Sequence, residues 1–180
     1  MVAIILGTGF EPLEAVAPCD ILRRGGVEVC YASVGERLVE AGHGIRIEAD
    51  CTVAELDAGK LDMIVLPGGL GGVQSILSSE KTLELIRRVY DGGKFVAAIC
   101  AAPSILAKLG ITDGKKATCY PGFEPKMGSA VTQDCGAVRD GKVITGRAAG
   151  SSEEFGLLLL EALKGKDAAD RVAGEIVYSR

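Results

Sequence analysis

Several residue types are scarce in this chain of 180 residues. It has no tryptophan, no asparagine and a single histidine, His43, and aromatic residues make up 4 % of it. So few aromatic side chains argue against a platform on which nucleic-acid bases stack. Lysine and arginine form no run longer than two and the net charge is -4, so we expect no nucleic-acid partner. The missing asparagine excludes a protease with a Cys-His-Asn triad.

Long apolar segments and paired cysteine motifs are missing too. No apolar run reaches the roughly 20 residues that span a bilayer, and the run at residues 2–6 has no basic flank ahead of it. We therefore expect a cytoplasmic protein with no membrane partner. The six cysteines form no CxxC or CxxxC pair, so the sequence predicts reduced thiols and no metal site.

The composition, with 48 % hydrophobic and 24 % charged residues, is that of a globular protein, and we expect one domain over residues 1–180. Short apolar runs recur at residues 2–6, 27–34, 63–66, 95–99 and 143–145. Because these runs are continuous rather than alternating, they indicate strands buried on both faces of a parallel sheet. Apolar residues at helical spacing lie between them. The sequence therefore predicts a layered α/β sandwich.

Details of three segments can also be predicted. We expect the first helix to bury a face centred on Leu13 and Ala17. We expect Ser78 or Ser79 to cap a helix that contains Leu83, and Ser151 to form a capping box with Glu154. Residues 115–141 interrupt the α/β pattern and predict a small antiparallel hairpin, with segments around positions 131 and 138 joined near position 136.

One loop of the predicted sheet carries a candidate nucleophile. The strand at residues 95–99 runs directly into Cys100, and Pro103 stands in the first turn of the helix that follows. This layout is typical of a nucleophile elbow at the carboxyl edge of the sheet, where ligands bind. A thiol at a helix N-terminus favours the thiolate. We therefore predict that Cys100 is reactive, whereas Cys30, inside an apolar strand, is a small buried hydrophobe.

Two further segments offer partners for this thiol. Glu14 lies on the flank of the buried face of the first helix, where partial burial raises the pKa of a carboxyl group. Protonated Glu14 would donate a hydrogen bond to the thiolate, although a solvated Glu14 fits the pattern equally well. Gly68 and Gly69 follow another strand and either present amides to an oxyanion or form a tight turn. We expect Glu11 to be exposed.

Asp20 and Arg24 form an unusual pair in the first helix. They lie four residues apart on its otherwise apolar face, where charges persist only if they are paired. A buried contact between subunits would explain them.

Taken together, the motifs resemble those of the ThiJ/PfpI superfamily, on the segments Glu14, Pro67-Gly68-Gly69 and Ala98-Ile99-Cys100-Ala101-Ala102-Pro103. Within it the chain is similar to the branch of the Parkinson-disease-associated deglycase and bacterial YajL. The resemblance implies a flavodoxin-like three-layer fold, a homodimer and a site without a cofactor or metal. It also implies that Cys100 is the reactive cysteine, that protonated Glu14 hydrogen-bonds it, and that the Gly69 and Ala101 amides line the pocket.

The resemblance extends to other positions. It implies that Arg24, Arg46 and Cys51 lie near the dimer contact. Tyr120 stands where some relatives carry a histidine, and Arg147 follows the strand that ends at position 145. We therefore count Tyr120 and Arg147, together with Asp20, as candidate pocket or dimer-contact residues.

The function that the resemblance implies is stress protection. We predict a cysteine-dependent protein without a cofactor that acts on reactive carbonyls, either methylglyoxal or glycated thiols and amines, through a hemithioacetal on Cys100. The enzyme would be of the glyoxalase or deglycase type and not a protease. The alternative is a redox sensor or chaperone without turnover that works through oxidation of Cys100.

Overall fold

The computed structural model describes residues 1–179 of the chain, which form strands and helices in alternation. The strands are β1 (Val2–Leu6), β2 (Val29–Ser33), β3 (Leu38–Glu40), β4 (Arg46–Glu48), β5 (Cys51–Thr52), β6 (Met63–Leu66), β7 (Phe95–Ile99), β8 (Lys116–Ala117), β9 (Val131–Thr132), β10 (Ala137–Asp140) and β11 (Val143–Gly146). The helices are α1 (Pro12–Arg24), α2 (Leu70–Leu77), α3 (Glu80–Asp91), α4 (Pro103–Lys108), α5 (Ser152–Lys164) and α6 (Lys166–Glu175).

A seven-stranded sheet forms the middle layer, in the order β10-β11-β7-β6-β1-β2-β5. Its strands pair in parallel except for β10, which is antiparallel to β11. Strands β3 and β4 form a separate antiparallel hairpin, and β8 pairs with β9 in parallel. The predicted α/β fold, with a mostly parallel sheet and a small antiparallel hairpin, is confirmed.

Alternating residues of each central strand fill two cores. In β1, Val2, Ile4 and Leu6 belong to the core shared with α1 and α5, whereas Ala3 and Ile5 belong to the core shared with α2, α3 and α4. Strands buried on both faces need apolar residues throughout. For this reason β1, β6 and β7 have the bounds that their apolar runs predict.

The predicted hairpin lies elsewhere than expected. The antiparallel pair is β10 with β11, which turn at residues 141–142, and not two segments joined near Gly136. Residues around Val131 pair with β8 instead. Strands of two residues leave too short a pattern to be read from a sequence.

The buried face of α1 also differs from the prediction. Leu13 is 59 % exposed and Val16 is 44 % exposed, while Pro18 and Ile21 are buried. The reason is the neighbouring helix α5, in which Gly156 lets the backbone of Pro18 approach closely. Contact with α5 therefore turns Leu13 and Val16 outward.

Of the two predicted helix caps, one forms. The Ser79 side chain accepts a hydrogen bond from the Thr82 amide and begins α3, whereas Ser78, the other candidate, is the C-cap of α2. Ser151 precedes α5 without a side-chain capping bond, so the predicted capping box with Glu154 is wrong. Within residues 1–179, every helix is too short or too polar to cross a bilayer.

Candidate active site

Cys100 occupies a strained turn at the carboxyl end of β7. Its φ is +68°, a left-handed conformation that costs a residue with a Cβ about 1–2 kcal/mol. Two long-range hydrogen bonds hold this turn, because the Cys100 amide donates to the Gly146 carbonyl at 3.0 Å and the Tyr120 amide donates to the Cys100 carbonyl at 2.8 Å. The geometry is that of a nucleophile elbow, and it leaves the thiol partly exposed.

Glu14 is buried beside this thiol. Its side chain has 0 % exposure, and its Oε2 accepts a hydrogen bond of 2.7 Å from the Gly68 amide. The carboxyl group also interacts with the Cys100 thiol. Within residues 1–179, the buried Oε1 atom has no conventional hydrogen-bond partner. The solvated position that the sequence left open for Glu14 is therefore wrong, and Oε1 is free to carry a proton toward the sulfur.

Gly68 allows these groups to meet. A Cβ on this residue would lie 2.6 Å from Glu14 Oε2 and 2.8 Å from Cys100 Cβ, both closer than real Cβ atoms approach. A glycine is therefore required where α1, the loop after β6 and the elbow converge.

The environment of Glu14 favours its neutral form. Burial raises the pKa of the carboxyl group from its ordinary 4.5 to about 7, against the opposing effects of the Gly68 amide and the Cys100 thiol. The charge of Glu11 adds to the increase. The sequence-based expectation of a raised pKa is confirmed.

The expectation of a Cys100 thiolate near neutral pH is wrong while Glu14 is ionised. Burial raises the pKa of the thiol to about 12, and the charge and hydrogen bond of Glu14 act in the same direction. The amides of Ala101 and Gly69 lower it, but by less. Helix α4 has only six residues and begins at Pro103, so its dipole adds little to the two amides.

Together the two groups lose their first proton near neutral pH, and the second stays until far higher pH. Transfer of the remaining proton from Cys100 to Glu14 converts the thiol to a thiolate while the total charge stays the same. Glu14 can therefore accept the thiol proton at the moment when the sulfur attacks an electrophile.

Cys100 and Glu14 open into a cavity of about 390 Å³. The residues that line it are Glu11, Glu14, Gly69, Leu70, Cys100, Ala101, Tyr120, Phe123, Ala148, Ala149 and Gly150. Apart from the two acids the lining is mostly apolar, and the rings of Tyr120 and Phe123 meet edge to face at 6.2 Å. A cavity of this kind fits a small uncharged ligand.

The amides of Gly69 and Ala101 lie in the same cavity. Within residues 1–179, neither N–H donates to a backbone carbonyl. Both instead act on the Cys100 sulfur, whose pKa they lower, and can turn to an oxyanion that forms next to it.

The predictions from the sequence did not include all the residues that line the cavity beside Cys100. They did not identify Phe123, and they placed Glu11 at an exposed position, whereas Glu11 is half-buried. Leu70 and residues 148–150 lie in segments that the sequence places after strands at the carboxyl edge of the sheet, but none of them was predicted as a site residue.

Other candidate residues lie outside this cavity. Arg147 pairs with Asp134 and lines a separate pocket. Arg24 pairs with Asp20 at 2.7 Å and Arg46 with Glu40 at 3.0 Å, all with side chains about half exposed. The predicted pairing of Asp20 with Arg24 is confirmed, but within this chain the pair is not buried.

Cys51, His43 and the groups that could bind a metal ion are the remaining subjects of the predictions. Cys51 lies in the edge strand β5. His43 is exposed, as predicted. Within residues 1–179, no three His, Cys, Asp or Glu side chains are grouped so that they could hold a metal ion.

Comparison with known proteins identifies the family. Residues 1–162 match the DJ-1/PfpI family. The chain belongs to the DJ-1/PfpI family. Among curated members, dj-1beta of Drosophila melanogaster is 38 % identical over 173 residues, which are 94 % of this chain and 92 % of the relative. DJ-1 homolog B of Arabidopsis thaliana is 39 % identical over 179 residues, 98 % of this chain but only 41 % of the plant protein.

Solved structures of DJ-1/PfpI proteins agree with the fold. The crystal structure of Drosophila DJ-1beta superposes with a TM-score of 0.93 at 37 % identity and covers 99 % of this chain and 98 % of that one. Oxidised DJ-1 of Toxoplasma gondii gives a TM-score of 0.95 at 30 % identity, again over 99 % and 98 % of the two chains. The resemblance to the ThiJ/PfpI superfamily and the flavodoxin-like fold are therefore confirmed.

Proposed function

We propose that this chain is a cysteine-dependent stress-protection protein that converts small α-oxoaldehydes such as methylglyoxal to hydroxy acids. Its DJ-1 relatives support a DJ-1-type stress-protection role. The observation that carries the chemistry is the buried Glu14 carboxyl group, with a pKa of about 7, beside the strained Cys100 thiol in an apolar cavity. A base whose pKa is close to the working pH is the most effective in proton transfer.

The first step is addition of the thiol to the aldehyde. The Cys100 sulfur forms a bond with the aldehyde carbon while the Glu14 carboxylate takes the thiol proton. The carbonyl oxygen becomes an oxyanion, which the amides of Gly69 and Ala101 beside the sulfur stabilise. Because the proton passes directly to Glu14, this step needs no thiolate in the resting protein.

The second step moves a proton between two carbons of the hemithioacetal. Glu14 gives its proton to the oxyanion, removes the proton of the former aldehyde carbon and returns it to the neighbouring carbon. In the same step the hydroxyl proton passes from the former aldehyde oxygen to the former ketone oxygen. The result is a thioester of the hydroxy acid on Cys100. Water then hydrolyses the thioester, which releases lactate when the substrate is methylglyoxal and restores the thiol. Apart from that water, the steps use Cys100, Glu14 and the two amides.

Lactate formation from methylglyoxal tests the proposal. We expect turnover by the parent and by Cys135→Ser, and at least a hundredfold less by Cys100→Ser and Glu14→Gln. Cys135 is a suitable control because it is also partly exposed but lies outside the cavity. Equal turnover by Cys100→Ser and the parent would refute the proposal, as would the absence of lactate with the folded parent.

The second candidate function is redox sensing through Cys100. Its support is the partly exposed thiol beside the unpaired Glu14 Oε1, which when protonated can donate a hydrogen bond to a sulfinate. The Toxoplasma relative has been solved in an oxidised form. Gain of two oxygen atoms at Cys100 after mild peroxide, without turnover of any aldehyde, would favour sensing over catalysis.

We also propose that the chain works as a cytoplasmic homodimer. Leu13 and Val16 on α1 are large exposed hydrophobic side chains, and the Asp20–Arg24 ion pair follows on the same helix. An apolar surface of this kind favours contact with a second copy. The six free cysteines suit the reducing cytoplasm.

A further inference from the structure

Two cysteines far from the cavity meet on one face of the sheet. Cys30 lies in β2 and Cys51 in the adjacent strand β5, and both are free and half-buried. Both pack against the core on the α3 side of the sheet. Each thiol contributes to the pKa shift of the other, so the two side chains lie close together. Neither residue has a role in the proposed carbonyl chemistry.

The strand pairing explains this contact. Cys51 pairs with Ala32, so that Cys30, two residues earlier in β2, is its diagonal neighbour on the same face. The Cys51 thiol turns back along β2 and lies 3.9 Å from the Tyr31 carbonyl oxygen. The side chain of Cys51 therefore leans toward Cys30.

Strand β5 is short enough to move and so bring the Cα atoms of Cys30 and Cys51 within the distance that a disulfide spans. Ideal strand spacing separates diagonal Cα atoms by about 8 Å, whereas a disulfide spans up to about 6.8 Å. Strand β5 has two residues at the edge of the sheet and, among residues 1–179, pairs with β2 alone. A shift of about 1–2 Å in β5 thus disturbs only one short ladder.

We propose that Cys30 and Cys51 are a modification site, separate from Cys100, at which a hydroperoxide produces a reversible intramolecular disulfide.

The reaction takes place in two steps. The Cys51 thiolate attacks one oxygen of hydrogen peroxide and becomes a sulfenic acid, and the other oxygen leaves as hydroxide. The Cys30 sulfur then attacks the Cys51 sulfur, and the hydroxyl group and the Cys30 proton leave as water. Overall, two thiols and one peroxide give one disulfide and two waters. A dithiol reductant reverses the change.

The order of attack follows from the surroundings of the two sulfurs. Burial raises the pKa of both thiols, that of Cys30 to about 12. The neighbouring Cys30 thiol lowers the pKa of Cys51, and so does Arg37, whereas Glu55 and Asp50 raise it. Cys51 therefore ionises first and is the thiol that peroxide oxidises.

The other cysteines lack such a partner. Within residues 1–179, the charged or polar neighbours that shift their pKa values include no second thiol; they are Tyr31, Arg23, Asp50 and Asp20 at Cys19, Glu124 and Arg147 at Cys119, and Glu154 at Cys135. The disulfide is accordingly expected between Cys30 and Cys51 alone.

Non-reducing mass spectrometry after mild peroxide tests this assignment in the Cys100→Ala background, where the elbow consumes no oxidant. We expect monomeric protein to lose the mass of two hydrogens, and peptide mapping to join Cys30 to Cys51. A second substitution in this background, Cys30→Ala or Cys51→Ala, should abolish the mass loss. The control substitution Cys135→Ala should leave the mass loss unchanged. Circular dichroism checks that each variant is folded.

A second measurement uses the unmodified parent and does not depend on any variant. Phenylarsine oxide bridges two neighbouring thiols, so we expect one adduct that protects Cys30 and Cys51 together from alkylation. Oxygen addition at Cys51 without a disulfide would overturn the proposal. A disulfide between two copies of the chain, or arsenical protection of a different pair, would overturn it as well.

Discussion

Replacing Glu14 with glutamine should remove a pH dependence from the stability of the folded chain. The Glu14 carboxyl group has a pKa of about 7 when folded and about 4.5 when unfolded, so the folded state holds one more proton between these pH values. Stability therefore falls as pH rises through this window, because the unfolded state releases the proton more readily. At about 1.4 kcal/mol per tenfold change, the loss amounts to about 3 kcal/mol.

Urea denaturation of the parent and of Glu14→Gln from pH 4.5 to pH 7.5 measures this loss. Glutamine keeps an oxygen for the Gly68 amide but does not titrate. We expect the variant to gain about 3 kcal/mol relative to the parent between the two ends of the range. Glu153→Gln, at an exposed position in α5, serves as the control that should follow the parent. If Glu14→Gln and the parent lose stability in parallel, the buried proton at Glu14 does not exist.

The remaining predictions concern the elbow, its supporting glycine and the outer face of α1. Gly68→Ala should cost about 1–3 kcal/mol and at least tenfold in lactate formation, because the new Cβ meets Glu14 and Cys100; unchanged kinetics would contradict this. Cys100→Gly should be about 1 kcal/mol more stable than Cys100→Ala in thermal melts, since glycine relieves the positive φ, and equal stability would argue against strain. Val16→Asp should give monomers by light scattering while the parent gives dimers.

The central sheet could be predicted because strands that are buried on both faces consist of apolar residues throughout. Continuous apolar runs gave β1, β6 and β7 their bounds. The short strands β8 and β9 could not be found, since two residues carry no periodicity.

The main residues of the site could be predicted from the sequence, but the protonation state of the Cys100 thiol could not. The strand that ends at Cys100 and the proline that follows indicate the elbow from sequence alone. The state of the thiol depends on how completely Glu14 is buried, and Glu14 is buried where α1 meets the loop after β6 at Gly68. Such a contact between distant segments has no local signature. The same is true of the contact of α1 with α5 at Gly156, which explains why the predicted face centred on Leu13 and Ala17 was wrong.

The meeting of three chain segments at Gly68 makes Cys100 a reporter of folding. Its sulfur has an acid beside it only when α1, the loop after β6 and the elbow have all assembled. In a partly folded chain the same atom is an ordinary thiol in water, with neither its base nor its two amides. The rate at which Cys100 reacts with a small electrophile should therefore distinguish native molecules from compact misfolded ones in a single mixed sample.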